Sequence, residues 1–328
     1  MNVTDNGLVT TSSSVTGVLI FSCIVFAVAG VVGTTGNVTT LVTLVKYKPF
    51  QSAEIVLFAN LLLSDMFVTA IADPMSIIVS NFQVAHQNDQ HSWMKRLHPL
   101  CVIIGTICTV SCVVSLLTIA TIGVNRYLIV CHSHGFHGKR VQIIILTCIY
   151  GWALTVVSMT FFGFGRHGFN HKTYMCLLVQ GPSTGAFMVF FVIVCLWTPM
   201  LATLLSYGNL YYRVAKSRRR IVAVTKGNRK RKKQGDSVQL AKTAFVIFSV
   251  FVICWFPISI LFLLDRDGGV NISVSILLST FAHIHPSLNF FVFYGTNKRF
   301  RNAAKALVLG KSRQVFKNQS IATITTEM

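Results

Sequence analysis

Residues 98–131 read HPLCVIIGTICTVSCVVSLLTIATIGVNRYLIVC. As a helix this run is long enough to cross a bilayer core of about 30 Å, which takes about 20 apolar residues. It ends in Asn125-Arg126-Tyr127, where an ionised side chain is costly in lipid and so marks a task. At about 100° per residue, Cys108, Ser115 and Arg126 fall within about 20° of one another. One polar seam therefore descends this helix from its outer part to its inner end.

The same signature recurs along the chain. Apolar stretches run over roughly 17–45, 54–80, 141–164, 182–212, 240–264 and 271–295, which with the first makes seven spans. Apolar residues make up 53% of the chain and charged residues 12%, with mean hydropathy +0.63, far from a soluble domain, which is about 25% charged. The fold class is all-α, a seven-transmembrane helix bundle over 17–295, with a polar N-terminus at 1–16 and a tail over 296–328. Met1 to Thr16 lacks a basic segment ahead of an apolar one, so the first span is expected to act as the insertion signal.

Orientation follows from lysine and arginine, which accumulate in cytoplasmic connections. With the N-terminus outside, only Lys95, Arg96, Arg166, Lys172 and Arg266 of the 29 basic residues face outward. The rest lie inside, among them the third cytoplasmic loop at about 213–239, which holds Arg218, Arg219, Arg220 and the Arg229 to Lys233 run. This placement accounts for the net charge of +20 without nucleic acid, since basic segments beside a membrane face anionic lipid. A solvated or lipid-facing loop and a contact surface for a signalling partner both fit it. A multi-pass plasma-membrane protein with a cytoplasmic C-terminus is expected.

Seven of the nine cysteines sit within or at the ends of apolar spans, where a reduced thiol behaves as a small hydrophobe. The other two, Cys101 at the outer start of the third span and Cys176 in the loop after the fourth, face the oxidising side and are expected to form a structural bridge. Asn2-Val3-Thr4 and Asn271-Ile272-Ser273 are glycosylation sequons on that side. The loop histidines His86, His91, His98, His167 and His171 could sense pH or bind metal, but no spacing among them is diagnostic and they read as ordinary loop residues.

Polar groups within the spans carry the functional argument. Asp65 lies mid-span in the second helix, at a cost of roughly 2.5–3.5 kcal/mol if isolated, with Asn37, Ser115 and Asn289 at compatible depths. It reads either as polar glue between helices or as an ion or proton site coupled to conformational change. In the sixth span, Cys254-Trp255-Phe256-Pro257 places a proline where it removes a backbone hydrogen bond and kinks the helix. The segment from Ser237 to Ile253 can then swing about Pro257, and Pro199 offers a second kink in the fifth span.

Taken together, Gly36-Asn37, Asp65, Trp93, Cys101, Asn125-Arg126-Tyr127, Trp152, Cys176, Pro199, Tyr207, Cys254-Trp255-Phe256-Pro257, Asn289 and Phe300-Arg301 resemble the rhodopsin-like class of G protein-coupled receptors over nearly the whole chain. The resemblance implies a short amphipathic eighth helix around Phe300. It also implies that Asp65, Ser115, Trp255 and Asn289 correspond to a sodium pocket that favours the inactive state. Leu116, Pro199 and Phe251 correspond to the connector between ligand cavity and inner face. Arg126 and Tyr207 correspond to the pair that rearranges when helix six opens to a heterotrimeric G protein. Several positions depart from the pattern: Asn125 replaces an aspartate, His285 an asparagine, Phe290 a proline and Phe293 a tyrosine. Loss of the charge beside Arg126 implies elevated basal signalling.

Asn125 to Ser133 is similar to the melatonin receptor group, as are the missing proline at Phe290 and Gln180 four residues after Cys176; Phe162 and Cys195 depart from it at ligand positions. The implied cavity lining is Asp73, Cys108, Thr109, Cys112, Gln180, Phe191, Cys195, Trp255, Ile258, Ser259, Phe262, Ser279 and His283. Such walls suit a small, mostly neutral extracellular ligand. Cys108 stands where aminergic receptors carry an aspartate and His283 where opsins carry a lysine, which argues against amines and retinal. Asp73 has three open readings: a pair with His283, a ligand anchor, or a cap on the Pro74 kink. A ligand-independent orphan receptor is the alternative. A transporter is a further one, although no internal repeat is evident. No metal-spaced cluster or nucleophile-base pair suggests an enzyme.

Overall fold

Among the described residues, seven helices are long and apolar enough to cross a membrane: Ser14–Tyr47, Ile55–Phe82, Arg96–His132, Arg140–Phe161, Gly185–Val214, Gln239–Leu264 and Ile272–Thr296. These are spans one to seven, and they coincide with the seven apolar stretches of the sequence. The computed structural model describes residues 2–3, 9–10, 13–49, 55–85, 90–132, 134–136, 138–179, 184–221, 228–265 and 269–312. Gln180 lies outside them, as do the side chains of Asn2 and of the basic cluster at 229–233.

The spans are assembled from α1 (Ser13–Tyr47), α2 (Ile55–Phe67), α3 (Asp73–Ala85), α4 (Gln90–His132), α5 (Lys139–Phe161), α6 (Gly185–Phe190), α7 (Thr198–Ile221), α8 (Asn228–Leu264), α9 (Ile272–Ala282) and α10 (Asn289–Thr296). A last helix, α11 (Lys298–Val308), buries Phe300, Ala303, Ala304 and Ala306. The region read as a loop over 213–239 is helical to Ile221 and again from Asn228.

Two spans contain π-helical turns, Val68–Ala72 and Phe191–Trp197. Each lies just ahead of a proline, Pro74 or Pro199, whose ring clashes with the preceding turn. The helix widens to accommodate it: the Asp73 N–H bonds Val68 O and the Thr198 N–H bonds Ile193 O, each five residues back. Pro257, by contrast, sits inside the unbroken α8.

The main core cluster runs along the bundle axis through Leu62, Leu116, Val192, Phe248, Phe251, Phe293 and Phe300. Large apolar side chains also point outward, Val31 at 67% exposure with Ile24, Ile144, Leu154 and Leu205. In lipid such a surface costs nothing, because the tails are as apolar as the side chains.

Two strands, β3 (His167–Asn170) and β4 (Met175–Leu178), form an antiparallel hairpin between spans four and five, with Phe169 opposite Cys176. A shorter pair, β1 (Asn2–Val3) with β2 (Val9–Thr10), lies near the N-terminus.

Candidate functional site: a polar axis through the bundle

At the outer end, a disulfide joins Cys101 to Cys176 and holds the hairpin against α4. The backbone there approaches closely: a Cβ on Gly105 would stand 3.3 Å from the Cys176 carbonyl carbon. Further ties fix the hairpin. Ser80 Oγ donates to the Tyr174 carbonyl at 2.9 Å, and Lys172 pairs with buried Asp265 at the outer end of span six. Asp265 also accepts the Val270 N–H at 3.0 Å.

His167 reverses the ordinary reading of the loop histidines. It is 3% exposed, with Nε2 at 3.0 Å from Thr109 Oγ1 and Nδ1 at 3.0 Å from Thr160 Oγ1. Burial pulls its pKa down to about 4, so the ring is neutral at pH 7 and each nitrogen meets a hydroxyl able to donate or accept. Burial likewise lowers His171. Position along the chain gave no sign of this, because only the hairpin's docking takes His167 inward.

Below the hairpin, His283 Nδ1 lies 2.7 Å from Asp73 Oδ1 and His283 Nε2 lies 4.0 Å from Cys108 Sγ. Of the three readings of Asp73, the pair with His283 is the one formed, and both side chains are buried. Cys112, Cys195, Phe191, Ile258, Ser259 and Ser279 are buried nearby in the bundle, and Phe262 packs against the cluster around Ile258. The Ser259 hydroxyl is engaged by Trp197, whose indole N–H donates to it at 3.0 Å; that partner was not anticipated. Phe162, at the end of α5, points outward.

The centre is built around Asp65, which is fully buried. Ser115 Oγ donates to its Oδ1 at 2.6 Å and Asn289 Nδ2 donates to Oδ2. Ser64 Oγ lies 2.7 Å from Ser115 Oγ, and His285 Nε2 stands 3.8 Å from Oδ1. Asn37 is set aside from this group, its amide donating to the Pro286 carbonyl at 3.1 Å. A cavity with room for about one water molecule adjoins the carboxylate, lined by Asp65, Val68, Cys108, Cys112, Ser115, Trp255, Ala282, His283 and His285. One layer down, Phe251 stacks on Trp255 with centroids 5.7 Å apart and planes 8° apart, and Leu116 and Pro199 are buried beside the same core. Asn60 ties spans two, three and four, donating to Thr118 at 2.9 Å and accepting from Tyr150 at 2.9 Å.

At the inner end Arg126 is 2% exposed and within electrostatic reach of Tyr207. The Tyr207 ring packs against Phe245 and Phe248 of span six at 5.1 and 6.3 Å. Its hydroxyl is buried without a hydrogen-bond partner among the described residues. Gly123 makes room for the ring, since a Cβ there would lie 3.2 Å from it. Asn125 does more than neighbour the arginine: its Oδ1 accepts the Phe136 N–H at 2.7 Å and so holds the connection to span four. Tyr127 is flanked by His132, at 3.2 Å from its hydroxyl, and by Arg213 over its ring at 5.9 Å.

Seven spans, a tethered outer hairpin and a polar axis ending in a buried arginine define a membrane signalling receptor, and sequence comparison agrees. The model of the 7 transmembrane receptor (rhodopsin family) matches residues 36–293, and the chain belongs to that family. It is a receptor family, not an enzyme family, and the chain is a multi-pass plasma-membrane protein. The chain is 25% identical over 296 residues to melatonin receptor type 1C of Gallus gallus, covering 87% of this chain and 81% of that one. It is 22% identical over 295 residues to melatonin receptor type 1B of Homo sapiens, covering 87% and 77%. In fold it is similar to the crystal structure of squid rhodopsin, with a TM-score of 0.73 at 19% identity over 90% of this chain and 85% of that one.

Proposed function

We propose that this receptor carries an extracellular signal to heterotrimeric G proteins by opening the inner end of span six, with the N-terminus outside and the basic connections inside. The observation behind this reading is the division of labour along α8. Pro257 removes one backbone hydrogen bond near its outer third, while Phe245 and Phe248 pack on Tyr207, beside Arg126, at its inner end. A helix weakened at one point and held by apolar packing below it can pivot there, releasing the arginine to a partner. The test is a G protein dissociation assay across subtypes in transfected cells, without ligand and then with indoleamines, lipids and peptides. Coupling that Arg126→Ala abolishes supports the reading, and silence under every condition sinks it.

Basal signalling is expected to be high. Asn125 gives Arg126 a neutral neighbour, a weaker restraint than a charge-assisted pair, and its acceptor oxygen already serves Phe136. Asn125→Asp keeps an acceptor for Phe136 and adds charge beside Arg126. Basal activation at equal surface expression should then fall severalfold, and an unchanged signal would refute the idea.

A second reading is ligand-independent signalling, favoured by His167. Its ring spans Thr109 and Thr160, the former a position expected to line the ligand cavity, so the chain supplies its own occupant there. His167→Ala should change basal signalling under this reading and leave it unaltered otherwise.

A further inference from the structure

The polar centre resembles a sodium pocket in sequence, yet its donor set does not suit that ion. Hard cations are held by several oxygens. The cavity beside Asp65 presents side-chain oxygen only from Asp65 and Ser115; Cys108, Cys112, Val68 and Ala282 supply sulfur and carbon. Both carboxylate oxygens already take a hydrogen bond, one from Ser115 and one from Asn289.

His285 stands on the open side of that carboxylate. Its orientation is fixed from two directions, by the Phe251 ring in edge-to-face contact at 4.8 Å and by Trp255 Nε1 at 3.0 Å from Nδ1. An indole N–H can only donate, so Nδ1 must accept and the ring proton belongs on Nε2. The Ala282 carbonyl, also 3.0 Å from Nδ1, is then a close neighbour and not an acceptor. Nε2–H is left facing Asp65 Oδ1 at 3.8 Å, buried and with no partner at hydrogen-bond distance among the described residues, where a shift of less than 1 Å brings it to a normal length.

We propose that His285 stands in for the cation of this pocket: its Nε2–H is a built-in donor to Asp65, and it couples that carboxylate through Nδ1 to Trp255 beside the Pro257 hinge. The chain is on this account indifferent to sodium, and His285 is a positioning residue between spans two and six. This goes beyond the receptor reading, and its test does not use G protein.

Thermal unfolding of the purified full-length chain in detergent is compared in sodium chloride and in choline chloride of equal ionic strength. Wild type should melt at the same temperature in both. His285→Asn, which exchanges the ring for a smaller side chain bearing an oxygen, should gain a sodium-dependent rise of several degrees, and adding Asp65→Asn should remove it. A sodium-dependent rise in wild type that Asp65→Asn abolishes would overturn the proposal, as would a His285→Asn protein that folds but stays blind to sodium. If His285→Asn does not fold, the wild-type comparison decides alone. Sodium sensitivity there refutes the proposal, and insensitivity with unchanged melting of Asp65→Asn between the two salts supports it.

Discussion

The two mouths of the bundle are closed by different physics. Outside, a disulfide, the Lys172–Asp265 ion pair and the His167 bridge between Thr109 and Thr160 hold the hairpin over the spans, and Asp73–His283 locks the layer below. Inside, Tyr207 packs on Phe245 and Phe248, neutral hydrogen bonds join Thr243 and Gln239 of span six to Thr296 of span seven, and the Tyr207 hydroxyl finds no partner among the described residues. Covalent and directional bonds resist sliding, whereas aromatic contacts can be exchanged for others at small cost. The contrast places the covalent and charged ties at the hairpin mouth and the more exchangeable contacts at the Arg126 mouth, as the proposed function requires of a receiving and a transmitting end.

The strongest attack on the outer lock is Cys101→Ser, which frees a loop of 75 residues' separation. A loss of about 2–4 kcal/mol is expected, seen as a large fall in melting temperature and in surface expression. A mutant that melts like wild type would show that the noncovalent ties suffice. Next comes Asp73→Ala, which leaves His283 buried without its carboxylate. Leaving a buried hydrogen-bonding group unsatisfied in this way costs about 1–3 kcal/mol. Recovery of stability by a second change, His283→Leu, would show that the loss lay in the orphaned imidazole.

Acid should loosen the hairpin. His167 has its folded pKa depressed to about 4 against about 6.5 when undocked. Undocked chains therefore bind more protons between those values, and docking is full above about pH 6.5 and weakens as pH falls towards 4. The total across that window is on the order of 3 kcal/mol. Amide protection over 167–178, corrected for the intrinsic slowing of exchange in acid, should fall between pH 7 and 5 in wild type and much less in His167→Gln. Smallest of all is Tyr207→Phe, which removes a hydroxyl that has no partner among the described residues. Its melting temperature should move by little, within about 0.5 kcal/mol, while G protein activation falls. A large loss of stability would mean that the Tyr207 hydroxyl itself makes a directional bond in the folded chain.

Much of this was legible beforehand. Apolar length alone fixes the seven spans, because lipid forces each crossing segment to satisfy its backbone within one helix. Cys101 and Cys176 could be matched by their shared side of the membrane. The grouping of Asp65 with Ser115 and Asn289 was expected from depth, whereas Asn37, at the same depth, turned to the Pro286 carbonyl, since depth does not specify azimuth. His167 looked like one loop histidine among several until hairpin docking buried it.

The sequence by itself determined that this chain spans a membrane seven times, since composition and local periodicity answer to the solvent, and its joint motifs carried the resemblance to the rhodopsin-like receptors. Only the tertiary structure decided which of the open partners Asp73 takes, what Asn125 holds besides its neighbour and which way His285 faces. Those outcomes depend on distances between residues far apart in the chain, and hydrogen bonds are made or lost over less than 1 Å.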